Sequence, residues 1–170
     1  MDPSFALSIR QPWIDLILKK QKTIELRQWD ITRLASMAYH AARGIDWKTA
    51  VPWDIKQLGP IALHSAWAID WKAAALFGYS EPLKLPRGVI VGRTEILSVT
   101  ELDRESWYRL VDQHLVIHPL PNGIYAGFLG NIDRLPRPIR CRGKQYFFTL
   151  SDKVVNAINH QLQVPDVRSQ

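Results

Sequence analysis

LSIRQPWIDLILKKQKTIELRQW, residues Leu7 to Trp29, is the stretch on which the fold turns. The apolar run from Phe5 to Arg10 predicts a strand. Pro12 suits the first turn of a helix, and Ile14, Ile17 and Leu18 then fall on one helical face. Lys19 and Lys20, near its end, complement the helix dipole. From Lys22 to Trp29 the pattern alternates: Thr23, Glu25 and Arg27 point one way, Ile24 and Leu26 the other, toward a core. Arg10, Gln11 and Trp13 therefore sit where a strand turns into a helix, and Lys22, Glu25 and Arg27 sit at the start of the next strand. If that strand returns beside the first, both sets share one rim. Lysine and arginine would supply charge for a phosphate, glutamine and glutamate would meet a base edge, and an indole would stack. The plainer alternative is a solvated strand face with Glu25 and Arg27 paired, and Trp13 in the core.

Downstream, Leu34 to Ala41 is a second strand candidate ending at Tyr39 and His40. Residues 43–87 are the least regular part of the chain and hold Trp47, Trp53, Trp67 and Trp71. Within them Ile61 to Phe77 reads as a helix stopped by Gly78, with Trp67 and Trp71 on one face packing on the sheet. Trp47 and Trp53 flank Pro52 in loop-like sequence and are candidates for a base-stacking wall. Gly88 to Val99 (GVIVGRTEILSV) is a strong strand. Asp103 caps a short helix from Arg104 to Gln113. Asn122-Gly123 signals a turn before a strand from Ile124 to Leu129. Leu135 to Ile139, with two prolines, is extended. A last strand, Gln145 to Leu150, precedes a helix capped at Ser151 or Asp152 that ends before Pro165, with a frayed tail from Asp166.

Lysine plus arginine exceed aspartate plus glutamate by 22 to 16, a net charge of +6. That balance suits a phosphate-bearing partner. Cys141 is the single cysteine, which excludes an internal disulfide and a thiolate zinc site and points to a reducing, cytoplasmic location. The opening MDPSFALSIRQPW carries no secretory pattern, and no run approaches the roughly 20 apolar residues of a membrane span. No phosphate-cradling glycine loop or metal-ligand spacing occurs, so neither cofactor nor metal is expected. Short strands punctuated by single helices, without βαβ alternation, predict an α+β fold: a small mixed, mostly antiparallel β-barrel flanked by helices.

Ser8-Ile9-Arg10-Gln11-Pro12-Trp13 followed by Lys22-Thr23-Ile24-Glu25-Leu26-Arg27 resembles the signature of the ASCH domain (activating signal cointegrator homology), a branch of the PUA-like superfamily. Its run is Gly-x-Lys-x-x-Glu-x-Arg; here Lys20 stands in place of the glycine. Tyr39-His40-Ala41, the Gly-Val-Ile-Val-Gly strand and Arg142-Gly143-Lys144-Gln145 are similar to later pieces of the family. The resemblance implies an ASCH/PUA-like domain over 1–150, with 43–87 a tryptophan-rich insertion and 151–170 a helix and tail packed on or trailing it. It also implies binding of RNA (tRNA or another structured RNA) or a nucleoside-like ligand in a basic, aromatic-lined cleft. Arg10, Gln11, Trp13, Arg27 and His40 would bind the ligand. Some relatives hydrolyse N4-acetylcytidine through a Lys-x-x-Thr arrangement, and ribonuclease activity is attributed to others. If this chain were such an enzyme, Lys22 and Glu25 would be catalytic, with Glu25 standing where that threonine would be and Glu101 or Glu105 a second carboxylate. Arg140, Arg142 and Lys144 alternate along one edge, a footprint for phosphates; solubilising charge on an edge strand is the alternative. A protein-interaction domain, with exposed tryptophans in the interface, is the third class.

Overall fold

The computed structural model describes residues 3–46, 48 and 53–163. Trp47, Pro165 and the tail from Asp166 lie outside the described residues. β1 (Phe5–Gln11), α1 (Trp13–Leu18) and β2 (Ile24–Arg27) follow the expected strand–helix–strand order. Phe5, Leu7 and Ile9 point into the main core with Ile14, Ile17 and Leu18 of α1, so the alternation of β1 puts Ala6, Ser8 and Arg10 on the opposite face.

Two expectations fail here, each for an identifiable reason. Leu34 to Ala41 is not a strand but part of a helix, α2 (Ile31–Ala41). The Asp30 side chain accepts from the Arg33 N–H at 3.2 Å, an N-cap that aligns Ile31, Leu34, Ala35 and Ala38 on one core-facing stripe. His40 therefore ends a helix, not a strand. Ile61 to Phe77 is not one helix: it divides into β3 (Pro60–Ile69) and α3 (Trp71–Leu76). β3 lies between two other strands and its first half, residues 61–65, is buried on both faces, so that half loses the alternation that marks a half-exposed strand. Asp70 caps α3 by accepting from Ala73 N–H, and Gly78, at φ +74°, follows the helix as expected. Part of the tryptophan-rich stretch is thus integral to the sheet.

β4 (Val89–Glu101) and the long β5 (Tyr125–Arg140) form a bent antiparallel pair; α4 (Arg104–Arg109) and α5 (Val111–His114) link them. The extended Leu135 to Ile139 segment continues β5. β6 (Phe147–Thr149) and α6 (Asp152–Gln163) complete the chain. Among the described residues, six strands form one sheet in the order β2-β5-β4-β3-β1-β6, parallel only between β1 and β3. The α+β, mostly antiparallel expectation holds, in the form of a curled half-barrel. Its interior is the main core. α6 covers the outer face through Ile158 against Ala6, Ala62 and Phe148, and a third cluster gathers Ile24, Leu102 and Trp107 under α4.

β1 and β2 are not neighbours in the sheet, yet the curl brings them together. Arg27 Nη2 of β2 donates to the Ser8 carbonyl of β1 at 2.8 Å, and Trp29 meets Tyr146 and Phe147 edge-to-face beside β6. Side chains, not ladder hydrogen bonds, bridge this seam.

Candidate functional site

Two hollows flank the seam, with Ser8 and Arg27 in the wall of both. The inner one is a cavity of about 610 Å³. Trp13 forms one side, and Leu115, Val116 and Ile117 form the other. Lys22 lies at its base, 2% exposed, donating to the carbonyls of Ile24 and His114, with Nζ 5.3 Å from the Trp13 ring centroid. Glu25 sits between two cations: Oε2 is 3.8 Å from Lys22 Nζ and Oε1 is 2.9 Å from Arg27 Nη2. Burial, aided by the Arg27 charge and opposed by Glu25, brings the Lys22 ammonium down to about 8.

The wall opposite Trp13 rests on His114, fully buried and stacked on Trp107 at 4.4 Å. Val116 N–H donates to Nδ1, so Nε2 carries the proton that bonds the Trp107 carbonyl at 2.8 Å. Burial holds this imidazole below its ordinary value, and the nearby Lys22 charge adds to the effect. At the rim, Asp70 accepts from the Trp13 indole at 3.0 Å and lies 3.9 Å from Arg10. Burial alone would raise the Asp70 carboxyl, but hydrogen bonds from Ala73 N–H and Trp13, with the Arg10 charge, bring it below the usual value.

The outer basin, about 800 Å³, opens on the other side of Arg27. Trp29, Trp67 and Tyr146 line it together with Arg142 and Lys144. Its floor is His64, cross-strand from Ser8: Ser8 Oγ lies 2.8 Å from Nδ1, and Nε2 lies 3.0 Å from the Cys141 carbonyl. The carbonyl can only accept, so Nε2 carries the proton and Nδ1 accepts from the serine. Burial lowers this imidazole also. The backbone of Gly143 runs directly over the ring, and a Cβ there would collide with it.

Of the residues singled out by the sequence, Arg10, Trp13, Lys22, Glu25 and Arg27 converge on the inner cavity. Gln11 does not line it: its amide turns inward, donating to Ser65 Oγ and the Pro86 carbonyl. His40 is buried at the end of α2 and lines neither hollow, nor do Glu101 and Glu105, both exposed. Arg142 and Lys144 line the outer basin, whereas Arg140 is exposed outside it. The tryptophans exchange their expected places. Trp53 packs on the core beside Tyr39 and lines neither hollow, while Trp67 and Trp71 are 70% and 58% exposed. Asp70, His64 and Trp107 line the two hollows and are missed by sequence reasoning, as is His114, buried behind Trp107. Asp70-Trp-Lys-Ala-Ala is a helix-start signal that would have identified Asp70 as a cap; His64 and His114 carry no sequence signal beyond being histidines.

A curled sheet with a cleft at its seam, closed by a Lys-x-x-Glu-x-Arg strand, defines a PUA-like domain of the ASCH type. The ASCH domain profile matches residues 7–129, and the chain belongs to that family. Among solved structures it is similar to ASCH from Zymomonas mobilis (12% identity, 88% of each chain covered, TM-score 0.53). It is also similar to two point mutants of that organism's protein. One replaces a serine by alanine (10% identity, covering 94% of this chain and 98% of that one, TM-score 0.55). The other replaces a tyrosine by phenylalanine (11% identity, covering 92% and 96%, TM-score 0.56). At such identities the likeness is one of fold. No curated protein matches the chain by sequence.

Proposed function

We propose that this ASCH domain is an RNA-binding module that takes one unpaired nucleobase, plain or modified, into the inner cavity. The observation carrying this reading is Lys22. Burying an ammonium beside a single shared carboxylate costs stability, and such groups concentrate where a ligand uses them. Here the ammonium lies at the base of an open cavity, next to a carboxylate that can accept from a base edge and an indole that can cover its face. The net charge of +6 favours a tRNA or other structured RNA as the source of that base, in the cytoplasm. The unit we assign to this task is residues 1–150, with α6 as its support.

The test is binding of total tRNA at low salt by the protein and its Lys22→Met variant, with folding checked by circular dichroism. A charged hydrogen bond lost from the site lowers affinity by roughly 10- to 100-fold. Equal binding by a folded Lys22→Met protein would remove the proposal's basis.

One observation favours hydrolysis of a modified nucleoside instead: a lysine at about 8 holds an appreciable neutral fraction near neutral pH. Lys22 or Glu25 would take the proton of an attacking water, releasing acetate and cytidine from N4-acetylcytidine. Mass spectrometry of the recovered RNA and of N4-acetylcytidine decides between them. Product formation that rises through pH 8 and vanishes in Lys22→Met makes the domain an enzyme.

A further inference from the structure

We infer that the outer basin holds the adjoining nucleotides of the same strand, so that the ligand is single-stranded RNA crossing Arg27, one base inside and its neighbours outside. This rests on the base-binding reading of the inner cavity. The two hollows abut at Ser8 and Arg27, and Arg27 is already committed to Glu25 and the Ser8 carbonyl, which fixes it as a ridge between them.

The outer basin is equipped differently from the inner one. None of its lining residues is acidic. Arg142 and Lys144 are exposed, and among the described residues neither side chain makes an ion pair or hydrogen bond within the chain. Cations left open beside a groove are what a phosphodiester backbone needs.

The aromatic groups are held in place yet bare. Trp67 is 70% exposed, but Arg87 donates to its carbonyl at 3.1 Å and sets a guanidinium 5.5 Å from its ring centroid. Gly88, at φ +67°, packs so closely on the indole that a Cβ would lie 2.6 Å from it. Tyr146, 47% exposed, stands edge-on to Trp29 at 5.1 Å. A positioned, uncovered indole offers a stacking surface to an unstacked base. Duplex RNA has no free base face to use it, and the basin would then serve its phosphates alone.

The experiment is fluorescence anisotropy with labelled RNA heptamers of each single base and a labelled 12-bp RNA duplex. It compares the wild type with Trp67→Ala, the Arg142→Ala/Lys144→Ala double variant and Lys22→Met. The heptamers should bind more tightly than the duplex. Trp67→Ala should weaken heptamer binding by about 10-fold and leave duplex binding unchanged. The double variant should reduce the slope of log affinity against log salt by about 1.4, two single-strand phosphate contacts. Because the three side chains substituted in the outer basin are exposed, loss of fold does not confuse the result. Heptamer binding lost in Lys22→Met but untouched in the outer variants overturns the strand path and spares the base pocket. The reverse pattern overturns the pocket and with it the crossing at Arg27, leaving strand binding in the outer basin alone. Equal affinity for duplex and heptamers overturns the single-strand inference, and no binding to any of these RNAs overturns both.

Discussion

The inner cavity and the outer basin share a wall and little else. Inside, the charges at the base are buried and held: Glu25 lies between Lys22 and Arg27, Lys22 also donates to two backbone carbonyls, and of the cavity's cations named above only Arg10 stands exposed. Outside, charge is exposed and open, and the aromatic rings face solvent. A buried ion trio presents a fixed pattern of donors and acceptors, which suits discrimination among base edges. Exposed lysine and arginine adapt to any phosphate and are screened by salt. On the proposed RNA-binding reading, selectivity belongs to the inner hollow and affinity to the outer one.

The largest effect expected from breaking this contrast is structural and confined to the inner side. His114→Ala removes a ring stacked on Trp107 and strands the Val116 N–H and the Trp107 carbonyl that it satisfies. The loss should be about 3 kcal/mol, measured by urea unfolding. A loss under about 1 kcal/mol would mean that the cavity wall does not lean on this residue.

Acid should act on both hollows together. Burial keeps His64 and His114 below the ordinary imidazole value of 6.5 in the folded chain. As pH falls the unfolded chain takes up protons first, so the stability these rings contribute is complete above about 6.5 and is lost as pH drops through their folded values. The urea midpoint should be lower at pH 5.5 than at 7.5, and this drop should shrink in His64→Asn and His114→Asn. A midpoint that holds or rises toward pH 5.5 would contradict the neutral assignments.

The smallest effect sharpens the boundary of the outer basin. Arg140 is as basic as Arg142 but lies outside the basin. Arg140→Ala should leave stability within about 0.5 kcal/mol and should change heptamer affinity less than Arg142→Ala does. Equal losses would show that general positive charge, rather than the basin, captures RNA.

The elements nearest the seam are the most legible in the sequence. β1, α1 and β2 carry a polar–apolar alternation and an early proline, even though most of their residues are buried, because polar side chains such as Gln11, Asp15 and Glu25 are buried among the apolar ones. β3 reads as a helix because its buried half shows no period-2 alternation of exposure and its sequence is interrupted by alanines, which leaves the composition of a buried helix. α2 reads as a strand because its cap, Asp30, lies upstream of the apolar run. Lys22, Glu25 and Arg27 are grouped by their place at the start of one strand together with the resemblance to the ASCH signature, because alternation alone leaves Lys22 out of phase with the other two. The tryptophans cannot be placed in this way: whether an indole is core or surface depends on which strand lies beside it, and Trp53 and Trp67 are told apart only by the sheet order.

The Arg27 bridge has a consequence for solubility. β2 and β6 are the two edges of the sheet, each with a row of backbone groups that could template pairing with another molecule. Both are short, and the curl lays them near each other, with Trp29 edge-on to Phe147 of β6 and Arg27 tied across to β1. A guanidinium at the edge resists a second strand, and the neighbouring rings occupy the approach to it. The residue that divides the two hollows thereby also guards the chain against self-association through its own open edges.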